Sequence, residues 1–208
     1  MSMRHTFLLF PLIVLVLAAC SSREPLPSAP LNQPFTTDPD RYQYLIGPGD
    51  SMSIFVWRNS EVSTTVTVRP DGRITAPLVE DVMAANKTPT QLARDLEKAL
   101  GAYIKDPIVT VTMTGFVGPF AEQIRVVGEA AKPQSLSYRQ HMTLLDAMIA
   151  VGGLTDYANG NGAILTRIVE GQQREYTVRL TDLIKDGDIT ANAELLPGDV
   201  IIIPESFF

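Results

Sequence analysis

The sequence has little of what catalytic and metal sites are built from: among 208 residues it contains one cysteine and two histidines. Because Cys20 stands alone, no disulfide can form within the chain. His5 and His141 are too few for a His/Cys metal cluster, and they leave Cys-His or Ser-His catalysis without its usual parts. The composition therefore predicts a protein that is not an enzyme and that uses no cofactor or metal.

Positive charge is also scarce. The chain has 17 Lys and Arg residues against 23 Asp and Glu, a net charge of −6 at pH 7, and no run of basic side chains. Phosphate backbones are bound by clustered Lys and Arg, so nucleic acid is excluded as a partner. The carboxylate pairs Glu80-Asp81 and Asp186/Asp188 predict solvated loops. Residues 159–162, Asn-Gly-Asn-Gly, predict a loop that lacks the dinucleotide fingerprint.

Among the features that the sequence does contain, the first is a predicted secretion signal at residues 1–19. A positive charge lies near the start, residues 7–17 form an apolar core, and Leu17-Ala18-Ala19 places small side chains before Cys20. A membrane-spanning helix is the alternative, but the apolar stretch is shorter than the roughly 20 residues that a bilayer crossing requires. The pattern predicts cleavage before Cys20 and lipid attachment to it. Ser21 then favours an outer-membrane, lipid-anchored protein that faces the periplasm.

A tether follows at residues 20–41, where polar residues dominate and prolines recur. Such a segment favours extended conformations. Beyond it, changes in composition predict two folded domains, at residues 42–115 and 121–208, separated by a stretch that contains glycine and proline. The tether would hold both domains away from the lipid surface.

The first domain combines strands with one helix. Alternating β-branched and aromatic residues predict strands at 51–57, 62–68, 73–76 and 108–113. The turn Arg69-Pro70-Asp71-Gly72 would join the second and third of these as a hairpin. Thr88-Pro89 predicts the start of a helix, and its apolar face is formed by Leu92, Leu96, Ala99 and Leu100.

The second domain repeats this order. Strands are predicted at 124–127, 163–169, 176–179 and 200–203, the second and third as a hairpin and the last as a fully apolar strand. Thr143 caps a helix that Gly152-Gly153 ends. The side chains of this helix that face the core would be Leu144, Leu145, Met148 and Ile149. The fold class that follows is α+β, with small mixed sheets that each pack on one helix, as in β-grasp domains.

Two similar turns precede apolar strands: Gly47-Pro48-Gly49-Asp50 and Pro197-Gly198-Asp199. Proline fixes φ, glycine permits positive φ, and an aspartate side chain accepts hydrogen bonds from nearby backbone N–H groups. We predict a structural rather than a chemical role for both aspartates. The turn Pro70-Asp71-Gly72 and the pair Gly152-Gly153 are predicted to be structural in the same way.

In their order along the chain, these features resemble those of the polysaccharide export protein family, the Wza-type outer-membrane lipoproteins. They are the lipid-attachment motif, the tether, Tyr44–Asp50, Val68–Ile74, Val127-Gly128-Glu129 and Leu144–Leu154. The first domain is similar to the polysaccharide export domain and the second to the soluble-ligand-binding β-grasp domain. The resemblance implies a ring of identical subunits through which exopolysaccharide or capsule chains pass. It also implies an inner-membrane co-polymerase of the tyrosine-kinase type as a partner.

The sequence departs from the family's pattern at its C-terminus. Wza-type proteins carry further β-grasp repeats and an amphipathic membrane helix, whereas this sequence stops five residues after Ile203. We therefore expect another protein, a β-barrel, to supply the outer-membrane pore, as in short family members of exosortase-linked exopolysaccharide systems. The terminal pair Phe207-Phe208 favours contact with a subunit or partner.

Two other functions stay open on the sequence alone. The β-grasp unit could be a periplasmic lipoprotein module that binds a soluble glycan or small ligand. A glycan-processing enzyme would need a reactive carboxylate, with Asp50 and Asp199 as the candidates. Trp57 and Tyr103 could stack on sugar rings, but their places at the ends of a strand and a helix favour burial in the core.

Overall fold

The computed structural model describes residues 36–206. The signal sequence, Cys20, most of the tether and Phe207-Phe208 lie outside the described residues. Within them the α+β class is confirmed. The strands are β1 (Ser51–Val56), β2 (Thr64–Thr67), β3 (Arg73–Ala76), β4 (Val79–Met83), β5 (Val109–Gly115), β6 (Ile124–Gly128), β7 (Gln134–Leu136), β8 (Ala163–Val169), β9 (Gln172–Val178) and β10 (Val200–Ile203). The α-helices are α1 (Pro89–Leu100), α2 (Leu144–Val151) and α3 (Leu180–Ile184).

The first domain is an antiparallel sheet of order β2-β1-β5 that packs on α1. Alternate residues of the central strand are buried, with Met52 and Ile54 pointing to the helix side of the sheet. Leu92 and Leu96 of α1 fill the space opposite them. The predicted start of α1 is confirmed, because the Thr88 side chain accepts the backbone N–H of the third helical residue in a capping box.

The hairpin predicted between the second and third strands is wrong. β2 pairs with β1, and β3 pairs with β4 in a separate two-stranded sheet. The turn at residues 69–72 does form, with the Gly72 N–H donating to the Arg69 carbonyl at 2.8 Å. β4 contains Glu80-Asp81, which was predicted to be a solvated loop. Because this strand is rich in polar residues, the sequence did not predict it. β3 pairs with it instead of with β2.

The second domain is a five-stranded sheet of order β7-β6-β10-β8-β9. β10 lies at its centre, parallel to β6 and antiparallel to β8. The fully apolar strand predicted at residues 200–203 is confirmed. Ile201 and Ile203 are buried beneath the helices, whereas Ile202 is 40% exposed. The predicted β8–β9 hairpin is confirmed, although β9 begins earlier than expected, directly after the tight turn Glu170-Gly171.

Helix α2 begins and ends where the sequence predicted. Thr143 forms a capping box with Asp146, and Gly152 ends the helix with a left-handed φ of 81°. Leu144 and Met148 are buried as expected, but Ile149 is 71% exposed, so its predicted place in the core is wrong. The buried side of this short helix is narrow.

Candidate functional site

Asp50 lies at the end of the first Pro-Gly-Asp turn, immediately before β1, and its side chain is fully buried. Gly49 takes a φ of 91°, which bends the chain back so that the Gly47 N–H donates to Asp50 Oδ2 at 2.8 Å. If Asp50 were the reactive carboxylate of a glycan-processing enzyme, its side chain would need access to solvent. Burial excludes that access in this conformation.

The Asp50 carboxylate also reaches the segment between the two domains, residues 116–119, which we call the connector. The backbone N–H groups of Val117 and Gly118 donate to Asp50 Oδ1 at 2.6 and 2.9 Å. The Tyr44 hydroxyl donates to Oδ2 at 2.6 Å. Burial and then this hydrogen bond raise the pKa of the Tyr44 phenol. Four donors therefore compensate one buried carboxylate, and two of them come from the connector.

Backbone packing brings the first turn and the connector together without room for another atom. A Cβ added to Gly47 would lie 2.1 Å from the carbonyl carbon of Gly118. On the far side of the connector, the Ser137 hydroxyl donates to the carbonyls of Phe116 and Val117 at 2.9 and 3.1 Å. The connector is thus bonded to both domains.

An aromatic contact completes this region, which we call the junction: Tyr42, Tyr44, Asp50, the connector and Tyr138. The rings of Tyr42 and Tyr138 meet edge to face with centroids 4.9 Å apart. Burial, followed by neighbouring acidic groups, raises the pKa of the Tyr42 phenol. Residues from both domains are therefore buried against each other around one carboxylate.

Asp199 repeats the local geometry in the second domain. Its side chain is fully buried, and the Leu196 N–H donates to Oδ2 at 2.8 Å. The remaining partner is Arg167 of β8, whose Nε and Nη2 donate to the two carboxylate oxygens at 2.9 and 2.7 Å. Burial raises the pKa of Asp199, and the guanidinium of Arg167 opposes this rise.

The other predicted turn residues line surfaces or end elements. Pro70, Asp71 and Gly72 border an open groove of about 510 Å³ together with Pro48 and Phe120. Gly72, Gly152, Gly153 and Gly198 all have positive φ, between 78° and 87°. The structure therefore brings the first two turn motifs to one groove and leaves the second-domain motifs elsewhere.

Two aromatic residues are misplaced by the sequence prediction. Trp57 is 53% exposed and Tyr103 is 67% exposed, so the expected burial of both is wrong. For Trp57 a signal was available, because the period of two along β1 puts residues 55 and 57 on the face opposite the buried Ile54 and Val56. Phe55 is also half exposed, and its ring centroid lies 6.4 Å from that of Trp57.

Within residues 36–206, no group of three or more His, Cys, Asp or Glu side chains is placed to hold a metal ion. None of the helices described there combines the length and the apolar character needed to cross a bilayer. Both buried aspartates are occupied by structural hydrogen bonds. The arrangement is suited to holding domains in place and to presenting surfaces.

The comparisons with known proteins agree with this domain order. Residues 38–114 match the family model of polysaccharide biosynthesis/export proteins, and residues 122–203 match that of the SLBB domain. This chain belongs to the polysaccharide export protein family. The resemblance drawn from the sequence is thereby confirmed, and the family is one of export proteins rather than enzymes.

Curated relatives are similar to the chain over most of its length. It is 26% identical over 186 residues to the EPS I polysaccharide export outer membrane protein EpsA of Ralstonia nicotianae, covering 78% of this chain and 47% of that protein. The same identity is found over 182 residues of EpsA of Ralstonia solanacearum, covering 76% and 47%. The exopolysaccharide production protein ExoF of Rhizobium meliloti is 26% identical over 188 residues, covering 78% and 41%. The chain thus spans less than half the length of these relatives.

Proposed function

We propose that this protein is a subunit of an assembly that exports exopolysaccharide or capsule chains across the bacterial envelope. The observation that carries the proposal is the pair of family matches in their order, an export domain followed by an SLBB domain. The names of the relatives, two export proteins and one exopolysaccharide production protein, support the same role.

The proposed location is the periplasmic side of the outer membrane, with a lipid on Cys20 as the anchor. The small residues before Cys20 support this, as does the similarity to EpsA, which is named an outer membrane protein. Several buried acyl chains would contribute about 0.8 kcal/mol per methylene. Cys20→Ser should leave a form that no longer fractionates with outer membrane and no longer incorporates labelled palmitate. Unchanged fractionation and labelling would contradict the anchor.

Identical copies are proposed to close into a ring around a passage for the polymer. The junction supports this, because a subunit whose two domains keep one orientation can repeat regularly about an axis. The co-polymerase of the inner membrane and an outer-membrane β-barrel protein stay proposed partners. Negative-stain images of the detergent-extracted full chain should show rings with a central hole, whereas single particles the size of one chain would contradict the ring.

The function itself is tested by deleting the gene and restoring it on a plasmid. Polysaccharide released into the medium should fall to background in the deletion strain and return with the wild-type gene. A gene that carries the Asp50→Ala change should restore export poorly, because the junction is broken. An Asp186→Ala variant serves as a control, since residue 186 is exposed and outside the junction. Unchanged release in the deletion strain would contradict the proposal.

A second candidate function, a periplasmic module that binds a soluble glycan or small ligand, is favoured by the open groove beside the first turn. Phe120 supplies an apolar wall there, and Asp71 supplies a polar group. Titration calorimetry of the purified protein with oligosaccharides tests it. Binding that disappears in Phe120→Ala, together with normal export in the deletion strain, would favour this function over the first.

A further inference from the structure

The outward face of the first sheet carries no charge. None of the strands β1, β2 and β5 contains Asp, Glu, Lys, Arg or His, in a chain of which 19% is charged. The residues that point away from the helix side of the sheet are mostly hydroxyl-bearing. This surface, which we call the hydroxyl face, comprises Ser51, Ser53, Phe55, Thr65, Thr67, Thr110 and Thr112.

The strand register makes the hydroxyl face continuous. Ser53 of β1 pairs with Thr65 on one side and with Thr112 on the other. Cross-strand neighbours of this kind lie on the same face. The hydroxyls of Ser51 and Thr67 are 3.1 Å apart and exposed. The sheet thus presents rows of small groups that can each donate and accept a hydrogen bond.

Aromatic and aliphatic side chains lie at one end of this face. Phe55, Trp57 and Ile108 are 49%, 53% and 59% exposed. The Trp57 N–H donates to the Ile108 carbonyl at 2.9 Å, which extends the β1–β5 pairing and keeps both side chains on the outer side. Large apolar side chains grouped in solvent are typical of contact surfaces.

The second sheet shows that this lack of charge is not general. Its strands include Arg125, Arg167, Arg174 and Glu175. Edge strands usually carry charges that discourage pairing with other chains. In the first sheet, both edge strands, β2 and β5, have threonines in those places.

We propose that the hydroxyl face, with Phe55 and Trp57 at its end, is the surface along which the exported polysaccharide chain passes. The inference rests on the proposed export function and names the part of the protein that touches the cargo. The strands of this sheet carry no charge that would repel or trap a polymer, and the guanidinium of Arg58 lies beside the face, 6.0 Å from the centroid of the Trp57 ring. The uncharged, hydroxyl-rich surface therefore matches a polyhydroxylated chain in both charge and hydrogen bonding.

The chemistry of the two parts of the face is complementary to a sugar. Serine and threonine hydroxyls exchange hydrogen bonds with sugar hydroxyls, and each such bond in solvent is weak. An aromatic ring has a negative face that attracts the C–H groups of a sugar ring. A conduit needs contacts that are many and weak, so that the cargo can enter and also leave.

A second copy of the chain is the competing occupant of this face. The centres of protein–protein interfaces are depleted in serine and rich in aromatic, Met and Arg side chains. The hydroxyl face has two serines on its central strand and only one aromatic residue among its strands, so its composition favours the glycan.

Trp57 is the single tryptophan of the chain, so its fluorescence reports on this surface. The experiment uses the purified full-length lipoprotein in detergent and oligosaccharides prepared from the exopolysaccharide of cells that carry the gene. Acrylamide quenching of Trp57 fluorescence is measured against oligosaccharide concentration for the wild type, Phe55→Ala and Thr112→Val. Tyr157→Ala is the matched control, because Tyr157 is 63% exposed and lies in the second domain.

Oligosaccharide should protect Trp57 from acrylamide. Phe55→Ala should weaken this binding about fivefold, as the loss of one aromatic contact does, and Tyr157→Ala should bind as the wild type does. Thr112→Val, at an exposed site, removes only a hydroxyl from the face and should also weaken binding, by less than Phe55→Ala does. Particle masses of all variants are compared with that of the wild type.

The inference is overturned if Trp57 stays equally accessible at saturating oligosaccharide while release of polysaccharide still depends on the gene. The proposed function would then stand without it. It is also overturned if Phe55→Ala lowers the particle mass but leaves oligosaccharide binding unchanged, since the face would then contact a second copy. Release that continues in the deletion strain would reject the export function itself.

Discussion

The two Pro-Gly-Asp turns share one local geometry but connect to different surroundings. In each, a fully buried aspartate accepts the backbone N–H of the residue three positions earlier. Asp50 completes its hydrogen bonding with neutral donors, two of them in the connector, whereas Asp199 takes the guanidinium of Arg167 from its own domain. The first turn therefore joins two domains, and the second stabilises one.

Among the proposed substitutions, Asp50→Ala is expected to cause the largest loss of stability. The change leaves the Tyr44 hydroxyl and three backbone N–H groups without their acceptor in a buried place, which should lower the free energy of unfolding by about 4 kcal/mol. Urea denaturation followed by Trp57 fluorescence and by circular dichroism measures it. The two signals should separate, because the domains lose their common link.

Asp50→Asn is the control for this change. Its amide keeps one acceptor oxygen of similar size, so the loss should be smaller than for alanine. A stability of Asp50→Ala within about 0.5 kcal/mol of the wild type, the usual range for surface changes, would show that the junction does not hold the domains together.

The next effect is that of Arg167→Met, which leaves the Asp199 carboxylate buried without its cation. We expect a loss of about 3 kcal/mol at pH 7. The pKa of Asp199 is already raised by burial above its ordinary 3.8, and the variant raises it further. Because a raised folded-state pKa favours the protonated form, the deficit should grow as pH rises through that pKa and shrink as pH falls toward 4.

Denaturation curves at several pH values between 4 and 8 measure this dependence. Arg179→Met is the matched control, because the ion pairs of Arg179 with Asp182 and Asp188 are solvent-exposed and screened, so their loss should change stability far less than the loss of the buried pair. An Arg167→Met deficit that is equal at pH 5 and pH 8 would contradict the buried ion pair as its cause.

The smallest expected loss of stability comes from removing a helix cap, and each domain has one. Thr143→Ala removes the cap of α2 and should cost about 1 kcal/mol, and Thr88→Ala should do the same for α1. Trp57 lies in the first domain, so its fluorescence transition reports directly on that domain. If the junction couples the domains, Thr143→Ala shifts the Trp57 transition as well as the circular dichroism. A shift in circular dichroism alone would show that the domains unfold independently.

Local signals predicted most of the elements. The starts of α1 and α2 follow from Thr88 and Thr143, whose hydroxyls act within one turn of the chain. The apolar run at residues 200–203 predicted the strand β10. Such features depend on neighbours in sequence, and the chain displays them directly.

Strand pairing and contacts between residues far apart in the sequence could not be predicted from such local signals. β3 pairs with β4 rather than with β2, and the polar residues of β4 conceal it as a strand. β4 also has a positive φ at Asp81, and Leu78, immediately before the strand, has another. The connector partners of Asp50 are backbone N–H groups 67 and 68 residues away, and no residue type marks them. The sequence therefore predicted the turn at Asp50 and its local bond, but not the junction.

Export is tested most directly by depleting the protein from growing cells while newly made polysaccharide is labelled with a radioactive sugar. Labelled polymer should disappear from the medium as the protein is lost, while polymer retained in the cell envelope accumulates. Return of the wild-type protein should release it. Continued release at the normal rate, or a halt in synthesis with no retained polymer, would contradict the account.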